Sequence, residues 1–476
     1  MYVVITHLLF AHYRFLRAPF NETLGKPKNI IVVVADSLRY DSVYREEGPG
    51  VPYLEGNAVQ FSNARSSGCW TLPATSSMFT GLLPHEHGAT SQSRWLKNDV
   101  PSISELLKGA GYKAIQVSAN VVTTDIFNVS RGFDEVYKTW NIVKPEYRLI
   151  LRAILALNRP RIRRMLLKPK DHTFDKISED LRQGIVWSQK TSDAALAKAK
   201  QLIEENNAKG KGVFMFVNLM ETHYPYHIAN TFKHLSTGLF GKIHEWKILY
   251  HFLSQSFLKT DKQILKQSDL DILRRKQQLS WKLIRDDVDS FCKQMHQGQD
   301  NLVVFCSDHG DNFGDQGWQY HFSNVTDGGN KVPYFWLDHE SPKAETKTFN
   351  VASRFMFYDI LRAAGVEQTG KTMMEEREDN LPMLEGFWYN NEGRTLAKYK
   401  YNQLAFIEGD KRFVKRAGDW MYAPTTMNGN EPVFEFVEKN FNPLEELNLT
   451  EQRKKYLKQS MDGFSIFSEN IMNKGK

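Results

Sequence analysis

Hydrophobic positions along this chain fall into short unbroken runs separated by longer stretches of helical spacing. Asn29–Ala35 (NIIVVVA) is a β-branched run that ends at Asp36. Lys113–Val117 leads into Ser-Ala-Asn120, and Val213–Asn218 into Met-Glu-Thr-His223. Leu302–Cys306 leads into Ser-Asp-His-Gly-Asp311, and Val332–Leu337 is a fifth run. Runs that are apolar at nearly every position fit strands buried on both faces of a parallel sheet. Ser102–Gly109, Ser178–Asn206 and Leu239–Met295 are spaced as helices, most clearly over Arg274–Arg285. Strands alternating with helices predict an α/β fold, a mostly parallel sheet flanked by helices.

From about Arg394 the pattern changes to short alternating runs: Leu396–Tyr401, Leu404–Glu408 and Arg412–Arg416. Gly409-Asp410 and Asn428-Gly429 supply turns, and Glu451–Met461 a closing helix. These predict a small antiparallel sheet. The chain thus divides into an N-terminal extension (1–27), an α/β domain (28–390) and a C-terminal antiparallel sheet plus helix (391–476). A helical insertion at about 140–285 interrupts the α/β domain.

Composition narrows the partners. Across 476 residues, 41% hydrophobic and 25% charged describes an ordinary globular chain, and the net charge of +7 is modest. Such a balance suits an anionic substrate or a membrane surface without indicating nucleic acid. Cys69, Cys292 and Cys306 show no CxxC spacing, which argues against a disulfide framework or a thiolate zinc site. Arg148–Lys170 mixes Leu and Ile with many Arg and Lys. It reads either as a helix pair with a solvated face or as a peripheral contact with anionic lipid or a polyanion. Aromatics do not interleave with those charges, so no nucleic-acid partner is expected. The apolar start, Met1–Phe10, falls short of the about 20 residues that span a bilayer, and it lacks signal-peptide features. A cytoplasmic location is the expectation.

The candidate chemistry gathers around Cys69-Trp-Thr-Leu-Pro-Ala-Thr-Ser-Ser-Met-Phe-Thr-Gly81. Pro73 suits a first helical turn, Thr71 the N-cap just before it, and Gly81 the exit. Thr71 can be a plain cap or a nucleophile held where a helix N-terminus attracts anions. Asp36, Asn120, Glu221, His223, Asp308 and His309 all stand just past strand ends. In an open α/β sheet that edge is where ligands bind. Oxygen and imidazole donors without sulfur suit one divalent ion, Mn²⁺, Mg²⁺, Ca²⁺ or Zn²⁺, held by Asp36, Thr71, Asp308 and His309. A cation there would lower the pKa of the Thr71 hydroxyl and prepare it to attack phosphorus or sulfur. His223 and His321 are candidates to bind substrate oxygens or protonate a leaving group. Arg39 could pair with a carboxylate or hold the anion, and Asn120 and Glu221 join it as candidate substrate contacts. Bland alternatives accompany these roles. Asp36 and the Asp308-His309 pair could serve as turn residues, and His321 could be packed among Trp318, Tyr320 and Phe322. Asp311 and Asp315 read as loop charges.

Four stretches occur in an order that resembles the sulfatase-like branch of the alkaline phosphatase superfamily. They are Asp36-Ser-Leu-Arg-Tyr-Asp41, Thr71–Gly81, Glu221-Thr-His-Tyr-Pro-Tyr226 and Ser307-Asp-His-Gly-Asp311. Leu106–Tyr112, Arg131-Gly-Phe-Asp134, Asn330-Lys-Val-Pro333 and Asn442-Pro-Leu-Glu-Glu-Leu-Asn-Leu449 are similar to smaller signatures of that family. The resemblance implies an alkaline phosphatase-like fold and a metal-dependent ester hydrolase or transferase. Its anionic substrate would be a phosphate or sulfate ester, glycan- or lipid-linked. Two departures matter. Where formylglycine sulfatases carry Cys or Ser followed by x-Pro-x-Arg, this chain has Thr71 and Thr75, and Cys69 stands two residues too early. No formylglycine is therefore expected. Threonine there is similar to lipoteichoic acid synthases and phosphoethanolamine transferases. The family also pairs two aspartates after its first strand, whereas Ser37 follows Asp36, which favours a single metal. A formylglycine-free sulfatase and a non-catalytic binder of anionic glycans are the alternatives.

Overall fold

The structure, a computed structural model, describes residues 25–44, 50–143, 190–226, 265–321, 324–340, 343–368, 370–378, 380–387, 402–416 and 441–474. Parts of 241–251 and the strand segments 419–424 and 435–436 are also described. The basic stretch 148–170, the run 396–401, the turn at 428–429 and residues 1–24 lie outside these segments.

One eight-stranded sheet dominates. Its strands are β1 (Asn29–Ala35), β2 (Val59–Phe61), β3 (Lys113–Ser118), β4 (Glu135–Lys138), β5 (Val213–Leu219), β6 (Asn301–Cys306), β7 (Tyr334–Leu337) and β8 (Glu345–Lys347). The order is β8-β2-β7-β6-β1-β5-β3-β4. Neighbours run parallel except for β7, which opposes both β6 and β2. The five runs read from sequence are thus strands, and β2, β4 and β8 are additions at and near the edges. Their short, partly exposed residues lack the continuous apolar signature.

The central strand β1 is buried at every position, as its β-branched run requires. Ile30, Val32 and Val34 pack with Phe214, Phe216 and Val304 on one face. Ile31, Val33 and Ala35 pack with Met215, Val217 and Phe305 on the other. The helices α1 (Thr71–Thr80), α2 (Ile103–Gly109), α3 (Ser192–Asn207), α4 (Gln267–His296), α5 (Met356–Ala363) and α6 (Glu451–Lys474) complete the frame. The first face receives Leu72, Met78 and Phe79 of α1 with Leu107 of α2 and Ile360 of α5. Ala195 and Leu202 of α3, with Trp281, Ile284 and Val288 of α4, cover the second. Along the 30-residue α4 the buried positions recur at three- and four-residue steps, and Trp281 stacks on Phe305 with ring centroids 5.5 Å apart.

A second, five-stranded antiparallel sheet is built from β9 (Met383–Gly386), β10 (Gln403–Glu408), β11 (Lys411–Arg416), β12 (Asp419–Pro424) and β13 (Glu435–Phe436). It begins ahead of residue 391, because β9 pairs antiparallel with β10. Leu457 and Phe464 of α6 close its core against Phe406 and Phe413. Buried Asp327, just after the β6 loops, receives Arg65 at 3.0 Å and Arg412 of β11 at 3.2 Å, tying this sheet to the larger one.

Behind α1, fully buried His87 accepts the Ala89 N–H at Nδ1 (3.1 Å) and meets Ser77 Oγ through Nε2 (3.1 Å). Burial, then the neighbouring His85, pushes its pKa from 6.5 to about 3. Between those values the unfolded chain binds a proton that the fold refuses. Stability is therefore expected to fall as pH drops from 6.5 toward 3, by at most about 1.4 kcal/mol per unit from this group. Denaturant unfolding of wild type and His87→Gln across that range checks it: the variant should show a flatter slope, and identical slopes would contradict the assignment.

Candidate active site

Four adjacent parallel strands, β6-β1-β5-β3, bring their C-terminal ends to one edge. From them come Asp308 and His309, then Asp36, then Glu221 and His223, then Asn120. Helix α1 adds Thr71 from one face. The structure shifts the expected start of that helix by one residue. Trp70 occupies the cap position in extended backbone without a side-chain cap bond, and Thr71 is the first helical residue. The Thr71 hydroxyl is therefore turned to the sheet edge instead of closing its own helix. Gly81 ends α1 at φ 70°, where its N–H bonds to Ser77 O, as expected from the sequence.

Thr71 Oγ1 lies 3.4 Å from Asp36 Oδ2 and 3.3 Å from His309 Nε2, and it accepts from Asn120 Nδ2 at 3.2 Å. Asn120 is fixed in that sense, because its Oδ1 accepts the Val122 N–H at 2.8 Å. Its Nδ2 also donates to Asp36 Oδ2 at 2.7 Å. Asn218, the last-but-one residue of β5, donates to the same oxygen at 3.2 Å. Sequence reasoning missed Asn218, although a lone amide in an apolar strand was the available signal. His309 Nδ1 faces Gly310 O at 2.8 Å, and a carbonyl can only accept, so Nδ1 carries the proton and Nε2 presents its lone pair to the site.

Asp36, Asp308 and His309 are all fully buried, and one donor atom from each lies within 4.8 Å of the others. Asp308 Oδ1 accepts from the backbone of Ser37 (3.2 Å) and His309 (2.9 Å), while its Oδ2 has no hydrogen-bond partner. Burial, reinforced by Asp36, pushes the Asp308 carboxyl well above its ordinary value. Burial also acts upward on Asp36, but His223 and the amides of Asn120 and Asn218 act against it, and that carboxyl stays low. Two buried carboxylates, one with an orphaned oxygen, beside an imidazole lone pair make a donor set that fits a hard divalent cation. The residues present would hold it through Asp36, Asp308 and His309, with Thr71 Oγ1 adjacent.

The histidines group nearby. His321 stacks on Tyr320 (3.8 Å between ring centroids) and lies 4.7 Å from His309 and 5.1 Å from His223. It is both packed among aromatics and part of the site. Its Nδ1 meets Asp311 Oδ1 at 2.6 Å, and Asp311 Oδ2 accepts from Tyr226 OH at 2.9 Å. Asp311 is thus no loop charge; burial raises its pKa to about 7. Asp315 is likewise buried, where it binds Arg39 Nη1 at 2.7 Å and Arg274 at 3.1 Å.

Two expected substrate contacts have other partners. Arg39 is buried, forked onto Asp41 (2.6 and 2.8 Å) and onto Asp315, and it also donates to Asp311 O. It braces the loop after β6 from the loop after β1. Glu221 Oε1 accepts the backbone N–H of Thr191 (2.6 Å) and Ser192 (2.7 Å) at the start of α3. A carboxylate at a helix N-terminus is favoured by the unpaired N–H groups there. Both roles depend on partners distant in sequence.

Residues 28–366 match the sulfatase family. No curated protein sequence matches the chain. Among solved structures, the phosphonate monoester hydrolase SpPMH from Silicibacter pomeroyi is similar at TM-score 0.59 and 17% identity, covering 91% of this chain and 95% of that one. The phosphonate monoester hydrolase of Agrobacterium radiobacter gives TM-score 0.57 at 14% identity, with 93% and 96% covered. BT4656, solved with its substrate D-glucosamine-2-N,6-O-disulfate, gives 0.56 at 12% identity, with 94% and 99% covered. These likenesses extend the alkaline phosphatase-like fold over both sheets. The strand-end arrangement and the family match over residues 28–366 agree: this chain belongs to the sulfatase family, a family of ester hydrolases.

Proposed function

We propose that this chain is a metal-dependent enzyme that cleaves or transfers a phosphate or sulfate ester, with Thr71 as its nucleophile and phosphoryl transfer as its chemistry. The observation that carries the reading is the Thr71 hydroxyl, uncommitted to capping and within 3.4 Å of Asp36 and 3.3 Å of His309. Threonine in place of the formylglycine precursor favours the phosphoryl reading. A divalent cation at Asp36, Asp308 and His309 would supply charge neutralisation and a lower pKa for a nearby hydroxyl.

The chain's own residues account for the rest. Asn120 donates to Thr71 Oγ1, so the hydroxyl's proton is directed at Asp36 Oδ2 or His309 Nε2, leaving an oxygen lone pair for attack. The N-terminus of α1 adds a favourable dipole for an anionic ester, with no acidic residue in its first turn to oppose it. His223 and His321 bind non-bridging oxygens or pass a proton to the leaving group, and Asp311 orients His321. Whether water or an alcohol takes up the group fixes hydrolase against transferase. A formylglycine-free sulfatase is the second reading, favoured by the likeness to BT4656, whose substrate is a sulfated sugar.

Purified protein assayed on matched aryl phosphodiester, phosphomonoester and sulfate substrates, with Mn²⁺ or with EDTA, tests the proposal. Metal-dependent cleavage of a phosphate ester is expected; cleavage of the sulfate alone selects the second reading, and metal-independent turnover contradicts both. Thr71→Ala should lower kcat by at least about 10³-fold with an unchanged unfolding midpoint. A variant within tenfold of wild type would remove the nucleophile. Asp308→Asn should lose bound metal, measured by elemental analysis after dialysis, together with activity. Wild-type metal content in that variant would show the ligand set to be wrong.

A further inference from the structure

Helix α4 buries several polar side chains that neither the apolar core nor the chemistry above explains, and Gln277 is the one that reaches the site loops. Gln277 is fully buried and lies on the face of α4 turned to the sheet edge. Its Nε2 donates to Ser37 O at 2.7 Å and to Thr222 O at 3.2 Å. Its Oε1 accepts from Ser42 Oγ at 3.0 Å. The amide has one workable orientation, because both carbonyls can only accept while the serine hydroxyl can donate.

The two carbonyls belong to the two loops that shape the site. Ser37 follows Asp36, and Thr222 lies between Glu221 and His223. Ser37 is held at φ 60°, a left-handed conformation that a serine adopts only when its surroundings enforce it. That twist aims the Ser37 N–H at Asp308 Oδ1 (3.2 Å) and its hydroxyl at Asp36 Oδ1 (3.2 Å). Thr222 Oγ1 in turn donates to Asp36 O at 2.7 Å. Ser37 therefore bridges the two acidic ligands at the position where the related pattern has a second aspartate, and Gln277 holds Ser37 in the bridging conformation.

We propose that Gln277 is a positioning residue for the metal centre: a single α4 amide locks the Asp36-Ser37 turn to the His223 loop. This rests on the reading of Asp36, Asp308 and His309 as metal ligands. Partners one step removed from a metal commonly change its affinity about 10–100-fold when removed. Gln277→Met keeps the length and volume but supplies no donor to either carbonyl.

The test is Mn²⁺ titration of the full-length protein, following the free ion by electron paramagnetic resonance, with the metal-free unfolding midpoint measured alongside. Gln277→Met should bind Mn²⁺ about 10–100-fold more weakly than wild type. Ile284→Val, which trims the core face of the same helix, should lower the midpoint and leave affinity unchanged. Wild-type affinity in Gln277→Met would overturn the proposal, as would an equal affinity loss in Ile284→Val. Should Gln277→Met fail to fold, Ser42→Ala carries the test. Freeing the amide should weaken Mn²⁺ in the same direction by less, and unchanged affinity overturns the assignment. A wild-type protein that binds no Mn²⁺ would overturn the ligand reading and this inference together, whereas binding insensitive to Gln277 overturns only the latter.

Discussion

The structure is built around the burial of two neighbouring carboxyl groups. Asp36 and Asp308 end neighbouring strands of a sheet whose interior is apolar on both faces, so neither carboxylate has water to stabilise it. Everything near them answers that cost. Amides from Asn120 and Asn218 hold one oxygen of Asp36, the Ser37 twist serves one oxygen of each, and His309 offers a lone pair beside them. One Asp308 oxygen stays without a hydrogen bond, with His309 Nε2 3.5 Å away. Burying such a pair is tolerable when a cation completes it, and the same cation is what makes a threonine hydroxyl reactive. On the proposed reading, the feature most unfavourable to folding is the one the chemistry would use.

Around that centre, a second layer of buried charge fixes the loops. Arg39 clamps the turn after β1 to Asp315 in the loop after β6, and Glu221 seats α3. Arg65 and Arg412 converge on Asp327 and attach the antiparallel sheet to the segment that backs the loop after β6. Ion pairs of this kind add little net stability, yet removing one partner strands the other, so they constrain geometry strongly. Among the described residues the C-terminal sheet contributes none to the strand-end cluster, but it braces the Asp327 segment, whose Gly329 O accepts the N–H of Gly310 next to His309.

Much of this was legible in the sequence because the signals were local. An unbroken β-branched run such as NIIVVVA fits a strand buried on both faces, and a polar residue just past its C-terminal end then stands at the edge where ligands bind. Asp36, Asp308, His309 and Thr71 followed from that logic and from the resemblance it supported. The antiparallel sense of β7 did not, because strand direction leaves no trace in an apolar run. Thr71 read as an N-cap because threonine before Pro73 usually is one, and the extended backbone of Trp70 moved the start by a single position. Arg39 was open to either a carboxylate or an anion and takes two carboxylates, whereas Glu221, Asp311 and Gln277 were misread or missed, all for a shared reason. Their partners are set by tertiary packing across tens to hundreds of residues, and residue type alone does not disclose which carboxylate a guanidinium will meet.

The proposed function turns on a bond between the Thr71 oxygen and phosphorus. Rapid acid quench during turnover of a phosphate ester, followed by peptide mapping with tandem mass spectrometry, examines that bond directly. A phosphorylated Thr71 peptide is expected with substrate and metal and should be absent when EDTA is present. Steady turnover with Thr71 unmodified, or phosphate mapped to His223, would contradict it.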